Sequence, residues 1–256
     1  MEIGIAQLER LAFDAWPAEV VETLSGWRLR FNHGVTHRAS SVWPAEATGP
    51  LALGARIEAA EAFYRARDAS ALFQISGAAA PASLDAALEA RGYERRLPTR
   101  METADAAHVA GLPAPGREAG VQVEVSETLG AEWFELSGRR GRFTDPEVEI
   151  YRGLLGRARE RPCFALARLH GEPAAVGLGV AQAGWLGLFA MRTQPHQRQR
   201  GLARAVLVAL ARHARARGEA RLYLQVEEDN TPARALYTRA GFTLHHPYHY
   251  RRRELG

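Results

Sequence analysis

The chain has 256 residues, of which 46% are hydrophobic and 24% charged, with a formal net charge of +4. These proportions exclude general disorder, and the length suits one large domain or two smaller ones. The single cysteine, Cys163, excludes an internal disulfide framework and a cysteine-cluster metal site; all 33 basic residues are arginine, which excludes a Schiff-base or phosphate-loop lysine.

Ile5, Leu8, Leu11, Ala12 and Ala15 repeat at helical spacing, and Trp16-Pro17 ends the pattern. Glu9, Arg10 and Asp14 interrupt this opening segment, so it does not read as a signal peptide. With the absence of disulfide-forming cysteines, that predicts a cytoplasmic protein. Strand-like runs follow in GWRLRF and RASSVWP, then a helix over 55–67, a short strand over 72–75 and a helix over 83–91 stopped by Gly92. The Ala-, Gly- and Pro-rich segment 104–120 reads as a linker. The expected domains are therefore 1–103 and 121–256.

In the second domain, 121–125 alternates as a strand, and Asp145-Pro146 opens a helix expected to run to about Glu160. Three strands come next: 163–169, 174–182 and 185–192. His170-Gly171-Glu172-Pro173 and Ala183-Gly184 supply their turns. From Ala174 to Met191 no residue is charged, long enough to span a bilayer, but the glycines and the Ala183-Gly184 break favour two strands over a membrane helix. A basic loop then leads into a helix whose buried stripe is Ala203, Val206, Leu207, Leu210, Ala211 and Ala214. Gly218 ends that helix. A strand over 221–226, a helix capped by Thr231-Pro232 and stopped at Gly241, and a strand or strand pair over 242–250 complete the chain. Ala87-Leu88…Arg91-Gly92-Tyr93 echoes Ala235-Leu236…Arg239-Ala240-Gly241-Phe242, which suggests two related lobes.

The loop before the long helix carries the chemistry. A helix start leaves backbone N–H groups without acceptors, and the helix dipole adds partial positive charge there. Gly201 permits close approach, Ala203 is small, and Arg198 and Arg200 add charges suited to phosphate oxygens. This is an anion site, most naturally for a diphosphate. It has neither the Walker ending nor the three spaced glycines of a dinucleotide fingerprint. A solvated basic loop is the competing reading.

The residues beyond the long helix narrow the choice. Arg198-Gln199-Arg200-Gly201-Leu202-Ala203, preceded by Pro195, is succeeded by Asn230, Ala233, Leu236, Tyr237, Gly241 and Phe242 in the pattern Asn-x-x-Ala-x-x-Leu-Tyr-x-x-x-Gly-Phe. The sequence here resembles the GNAT superfamily of acyl-CoA-dependent N-acetyltransferases, over about residues 121–250. The first lobe is similar, more loosely, to the amino-terminal half of two-lobed bacterial members. The resemblance implies an α/β (α+β) fold: a mixed, mostly antiparallel sheet flanked by helices, with two GNAT-like lobes in tandem, the first lacking a phosphate loop.

It further implies that amides of Arg198, Gln199, Arg200, Gly201, Leu202 and Ala203, with Arg204 at the edge, bind the pyrophosphate of acetyl-CoA. The pantetheine arm would lie along Phe189, Ala190, Met191 and Thr193, with the Met191 N–H polarising the thioester carbonyl. Asn230 and Ala233 occupy family positions near the cofactor. Tyr237 matches the general acid that protonates the departing thiolate; a core tyrosine is the competing reading. The attacking amine would belong to a small molecule or a protein amino terminus. Glu227 and Glu228 are the nearest candidates for the base, and strand alternation lets at most one face the cleft.

His245, His246 and His249 lack ligand spacing, so no metal is expected. Trp27, Arg30, Phe31, Arg38 and Trp43 could line an acceptor pocket or build a core. Gly177, Gly179 and Gly187 could leave room for acyl groups longer than acetyl. Two other functions stand against the enzyme: a non-catalytic acyl-CoA-binding sensor or scaffold, and an RNA-associated factor, which the dispersal of the arginines among 29 acids disfavours. Oligomeric state is not legible.

Overall fold

The computed structural model describes residues 3–139, 143–158 and 161–255. They form two compact units. The first comprises the described residues of 1–100, 153–157 and 246–256; the second comprises those of 101–152 and 158–245.

The first unit opens with α1 (Ile5–Ala15), as its spacing predicts. Its strands are β1 (Val20–Leu24), β2 (Trp27–Phe31), β3 (Val42–Trp43) and β4 (Ala71–Ser76). They lie in that order, and the end of the chain adds β11 (Thr243–Arg253) beside β4. Pairing is antiparallel except between β3 and β4, which are parallel and joined through α2 (Leu53–Arg65). After β4 comes α3 (Leu84–Ala90), then β5 (Glu94–Asp105), whose last residues, from Met101, belong to the second unit. Neither β1 nor β5 is evident in the sequence: VVETL and ERRLPTRMETAD are too polar to read as core strands.

Of the residues considered for an acceptor pocket, Trp27, Arg30 and Trp43 are buried in a core, whereas Phe31 and Arg38 are half-buried. Trp27 is fully buried and Trp43 nearly so. Arg30 is buried with Nε on the Ser41 carbonyl at 3.0 Å and Nη2 on Ser41 Oγ at 2.7 Å. The Arg38 guanidinium lies 5.5 Å from the Trp16 ring centroid, and that of Arg67 lies 5.9 Å from the Phe31 ring. The Ser41 contacts satisfy the buried Arg30 donors.

The second unit begins with the segment expected to be a linker. It contains a short helix, α4 (Ala106–Gly111), capped by the Asp105 carboxylate on the His108 N–H at 2.9 Å. Ala104, Ala106 and Val109 are buried in the unit's core. The segment is thus packed structure, and the chain first passes from one unit to the other at 100/101, before the segment begins.

Its strands are β6 (Val121–Ser126), β7 (Arg161–Leu169), β8 (Glu172–Gln182), β9 (Trp185–Thr193) and β10 (Arg221–Glu227), lying in the order β10-β9-β8-β7-β6. All neighbours are antiparallel except β9 and β10, which are parallel and joined through α7 (Leu202–Ala216). The uncharged stretch 174–191 is therefore two strands and a hairpin. No helix among the described residues is long and apolar enough to cross a membrane. Between β6 and β7 lie α5 (Ala131–Phe134), a π turn over Glu135–Arg139 not anticipated from sequence, and α6 (Asp145–Gly156). The expected end of α6 at Glu160 lies outside the described residues. After β10 comes α8 (Thr231–Arg239).

The three sheet glycines permit close packing of layers. A Cβ on Gly179 would stand 2.6 Å from Cys163 Sγ, and one on Gly187 would overlap Tyr223 Oη and Phe189 Cε2. The space over these glycines is filled by neighbouring side chains, so it is not vacant room for a longer acyl group. Gly187→Ala should lower the unfolding free energy by about 1–3 kcal/mol through overpacking. Urea denaturation checks this, and an unchanged midpoint would mean that the Tyr223 ring can yield.

Candidate active site

Strand β9 carries a bulge. Val176 pairs with Arg192 and Leu178 with Phe189, so Gly177 alone opposes Ala190 and Met191. Ala190 takes a left-handed conformation, φ 49°. Such a bulge bends its strand and re-aims the residues after it. On the other side of β9, the parallel register with β10 runs from Trp185/Arg221 only as far as Leu188/Leu224. Phe189–Thr193 and Gln225–Glu227 continue without pairing to each other, which opens a cleft between two central strands.

The loop leaving β9 is fixed at its root. The Gln194 N–H donates to the Ala174 carbonyl at 2.9 Å, and its side-chain amide donates to the Pro173 carbonyl. A 3-10 turn over Pro195–Gln197 comes next, then Gln199 and Gly201 both with positive φ, 63° and 74°. Gly201 is the residue before α7, and the first helical bond is from the Ala205 N–H to the Gly201 carbonyl. Among the described residues, none of the N–H groups from Gln199 to Arg204 donates a hydrogen bond. Arg198, Arg200 and Arg204 are exposed, and their side chains make no ion pair or hydrogen bond among the described residues. This stretch thus brings together, among the described residues, six amides without acceptors, a helix N-terminus and three exposed guanidiniums, the chemistry that an anion would need. The residues fit a diphosphate.

The segment 104–120 completes one wall. A Cβ on Gly201 would stand 3.0 Å from Pro115 Cγ, so the Pro115 ring covers the turn. Upstream, Arg212 Nε donates to the Ala110 carbonyl at 3.0 Å. The segment thus runs antiparallel to α7, from Arg212 back to Gly201, the residue before its first turn. Sequence composition pointed away from this: Ala, Gly and Pro also mark close approach to a helix, and Asp105 three residues before His108 was the cap signal.

Asn230, not Thr231, caps α8; its Oδ1 accepts the Ala233 N–H at 3.3 Å. Tyr237 is buried, with its ring 5.6 Å from that of Phe242 and within the same core cluster against which Met191 and Ala233 pack. Glu227 is the last residue of β10, on the same face as Tyr223 and Gln225, whereas Glu228 lies beyond the strand. Alternation therefore places Glu227 but does not apply to Glu228. Both are exposed. His196 is exposed loop surface. Burial pushes the Cys163 thiol up to about 12, and it packs over Gly179, so it offers no thiolate nucleophile. No group of three potential metal ligands occurs among the described residues; His249 instead contacts Asp85 at 3.0 Å and His246 is buried near Glu9. A cavity of about 280 Å³ bordered by Arg161, His213 and Arg217 lies at the far end of α7 from the loop, with Arg217 paired to Glu127 and Arg161 to Glu219.

Parted parallel strands, an amide-lined helix start and a subsequent Asn-capped helix with a buried tyrosine define a GNAT N-acetyltransferase, an acyltransferase enzyme. The chain belongs to the family described as "Probable histone acetyltransferase Rv0428c C-terminal", whose model matches residues 3–251. It is 29% identical over 251 residues to the uncharacterized N-acetyltransferase YobR of Bacillus subtilis (strain 168), covering 96% of this chain and 98% of that protein. Among solved structures it resembles a GCN5-related N-acetyltransferase from Kribbella flavida, with TM-score 0.62, 17% identity and coverage of 100% and 98% of the two chains. It also resembles a tandem GNAT protein from the clavulanic acid biosynthesis pathway, with TM-score 0.61, 17% identity and coverage of 79% and 70%. At such identities these structures establish the fold alone.

Gly201→Ala should cost about 1–2 kcal/mol from the left-handed backbone alone. Pro115→Ala should recover part of any additional loss, with a coupling of roughly 0.5 kcal/mol or more in a double-mutant cycle followed by denaturant unfolding. Strict additivity would mean that the segment 104–120 does not bear on the turn.

Proposed function

We propose that this enzyme transfers an acetyl group from acetyl-CoA to a primary amine by direct attack, with the second unit catalytic and the first a GNAT-like lobe without a phosphate loop. The observation that carries the reading is the run of unpaired amides from Gln199 to Arg204 beside the point where β9 and β10 part. Acetyl-CoA would supply the activated thioester, with its pyrophosphate on these amides and on Arg198, Arg200 and Arg204. Its pantetheine would follow Phe189, Ala190, Met191 and Thr193 into the cleft, passing the α8 start at Asn230 and Ala233. The Met191 N–H would stabilise charge developing on the carbonyl oxygen.

The amine lone pair attacks the carbonyl carbon, the carbon–sulfur bond breaks, and the sulfur takes a proton from Tyr237. An ordinary phenol is protonated at neutral pH and can make that donation. The proton lost by the amine goes to a carboxylate. Glu227 is favoured over Glu228 because it shares a face with Gln225 at the parting of the strands. The acceptor is a small-molecule amine or a protein amino terminus; since the family description names histones, a lysine side chain of a basic protein is a further amine to test.

Acetyl-CoA at about 100 times its dissociation constant should raise the unfolding temperature by roughly 5–10 °C, and Arg198→Glu should abolish the shift. An unshifted wild-type protein would overturn the reading. Tyr237→Phe should lower kcat on the order of 100-fold or more while leaving acetyl-CoA affinity intact. Unchanged turnover would remove Tyr237 from the mechanism. Binding without turnover across a broad amine panel would make the chain an acyl-CoA-binding module instead.

A further inference from the structure

We propose that the side chain of Met191 limits the acyl group to acetyl, acting as a movable plug over Gly177; the inference rests on the acyl-CoA reading above. The bulge places Ala190 and Met191 opposite Gly177, the one residue of β8 there without a side chain. Met191 occupies the missing volume: a Cβ on Gly177 would stand 2.5 Å from Met191 Sδ, 2.7 Å from Val206 Cγ1 and 3.1 Å from Leu210 Cδ1. The hole therefore has an apolar far wall on α7 and a thioether filling it from the strand that holds the thioester carbonyl in the proposed complex.

The fillers of the other sheet glycines differ in kind. Cys163 and Leu186 over Gly179, and Tyr223 and Phe189 over Gly187, are all buried core side chains. Met191 is only partly buried and packs on the edge of the core. It is unbranched and conformationally adaptable, so it is the wall that can be displaced or cut back without dismantling the sheet. An acyl chain longer than acetyl, carried by a carbonyl at the Met191 N–H, meets this side chain first. Truncation to alanine removes Cγ, Sδ and Cε, a volume sufficient for the two methylenes that distinguish butyryl from acetyl. Val206 and Leu210 then present an apolar lining to them.

The test is binding by calorimetry of CoA, acetyl-CoA and butyryl-CoA to the full chain and to Met191→Leu, Met191→Val and Met191→Ala. The wild-type protein should bind acetyl-CoA at least about tenfold more tightly than butyryl-CoA, the scale on which added methylenes are rejected by a closed apolar pocket. Met191→Leu should keep that ratio. Met191→Val should weaken it, and Met191→Ala should abolish or invert it, the ratio being taken within each variant so that any change in affinity common to all three ligands cancels. Retained CoA binding certifies that a variant is folded; if the alanine form fails that control, the valine form decides. An acetyl-to-butyryl ratio that stays constant in variants that bind CoA would overturn the plug while leaving the acyl-CoA reading intact. A wild-type protein that binds none of the three would overturn both.

Discussion

The second unit depends on a parallel strand pair that stops early. Parallel neighbours require a crossover connection, and here α7 supplies it between β9 and β10. That crossover sets the N-terminus of α7 at the C-terminal end of β9, where the pairing fails past Leu188 and Leu224. The bulge at Ala190–Met191 bends β9 at the same place. A cleft between strands and a cluster of unpaired amides thus arise together from one local defect in the sheet. Had the register run on to Thr193, the strands would have closed over the space that the loop faces. Amides left without acceptors inside the protein can be satisfied by water, which an anion can displace.

The same framework occurs in the first unit without the defect's consequences. There too a parallel pair, β3 and β4, is joined by a helix, and a shorter helix comes after it. Both short helices end with a glycine in the left-handed region, Gly92 and Gly241, and with an aromatic N–H reaching back five residues: Tyr93 to Leu88, Phe242 to Tyr237. Aligned by this shared helix end, Leu88 stands where Tyr237 stands. The first unit therefore has a buried leucine in place of the hydroxyl. At the start of its long helix, Ala52 takes the place of the left-handed Gly201, and Arg56 folds back onto the Thr48 and Leu51 carbonyls. The first unit thus lacks the counterparts of the tyrosine to which the proposed mechanism assigns proton donation and of the left-handed turn, while the helix-end packing is shared.

Much of this was legible in the residues, and for identifiable reasons. Gly201, Asn230, Tyr237 and Gly241 are types whose backbone or side-chain chemistry restricts where they can sit, so their spacing carries information. The stripe of α7 was legible because one face is buried: Val206, Leu207, Leu210, Ala211 and Ala214 are buried as expected, whereas Ala203 is half-buried and Leu202, Ala205 and Val208 are buried in addition. The strands β1 and β5 escaped because alternation fades when few of a strand's residues are buried: all five of β1 are exposed or half-buried. The fate of Gly177, Gly179 and Gly187 was not legible at all. Whether a missing side chain leaves room depends on what reaches in from other strands and from α7. The same holds for Glu228, whose alternation with Glu227 presupposed a strand that ends one residue earlier.

Charge gives the last step. With pI ≈ 9.6 and only arginine as the basic residue, the chain invites a reading as a polyanion binder. Most of its informative arginines are occupied by the fold. Arg30 is buried on Ser41 and Gln74, Arg251 bridges Asp85 and Glu89, and Arg161, Arg168 and Arg217 each hold a glutamate. A guanidinium already paired with a carboxylate contributes little to attracting another anion, since its field is largely cancelled at short range and screened beyond about 8–10 Å. Arg198, Arg200 and Arg204 differ because they stand unpaired around amides that are also unpaired. Electrostatic attraction is therefore set by the local absence of counter-charge, and in the proposed reading it favours a compact diphosphate at one helix start over an extended nucleic acid on a basic surface.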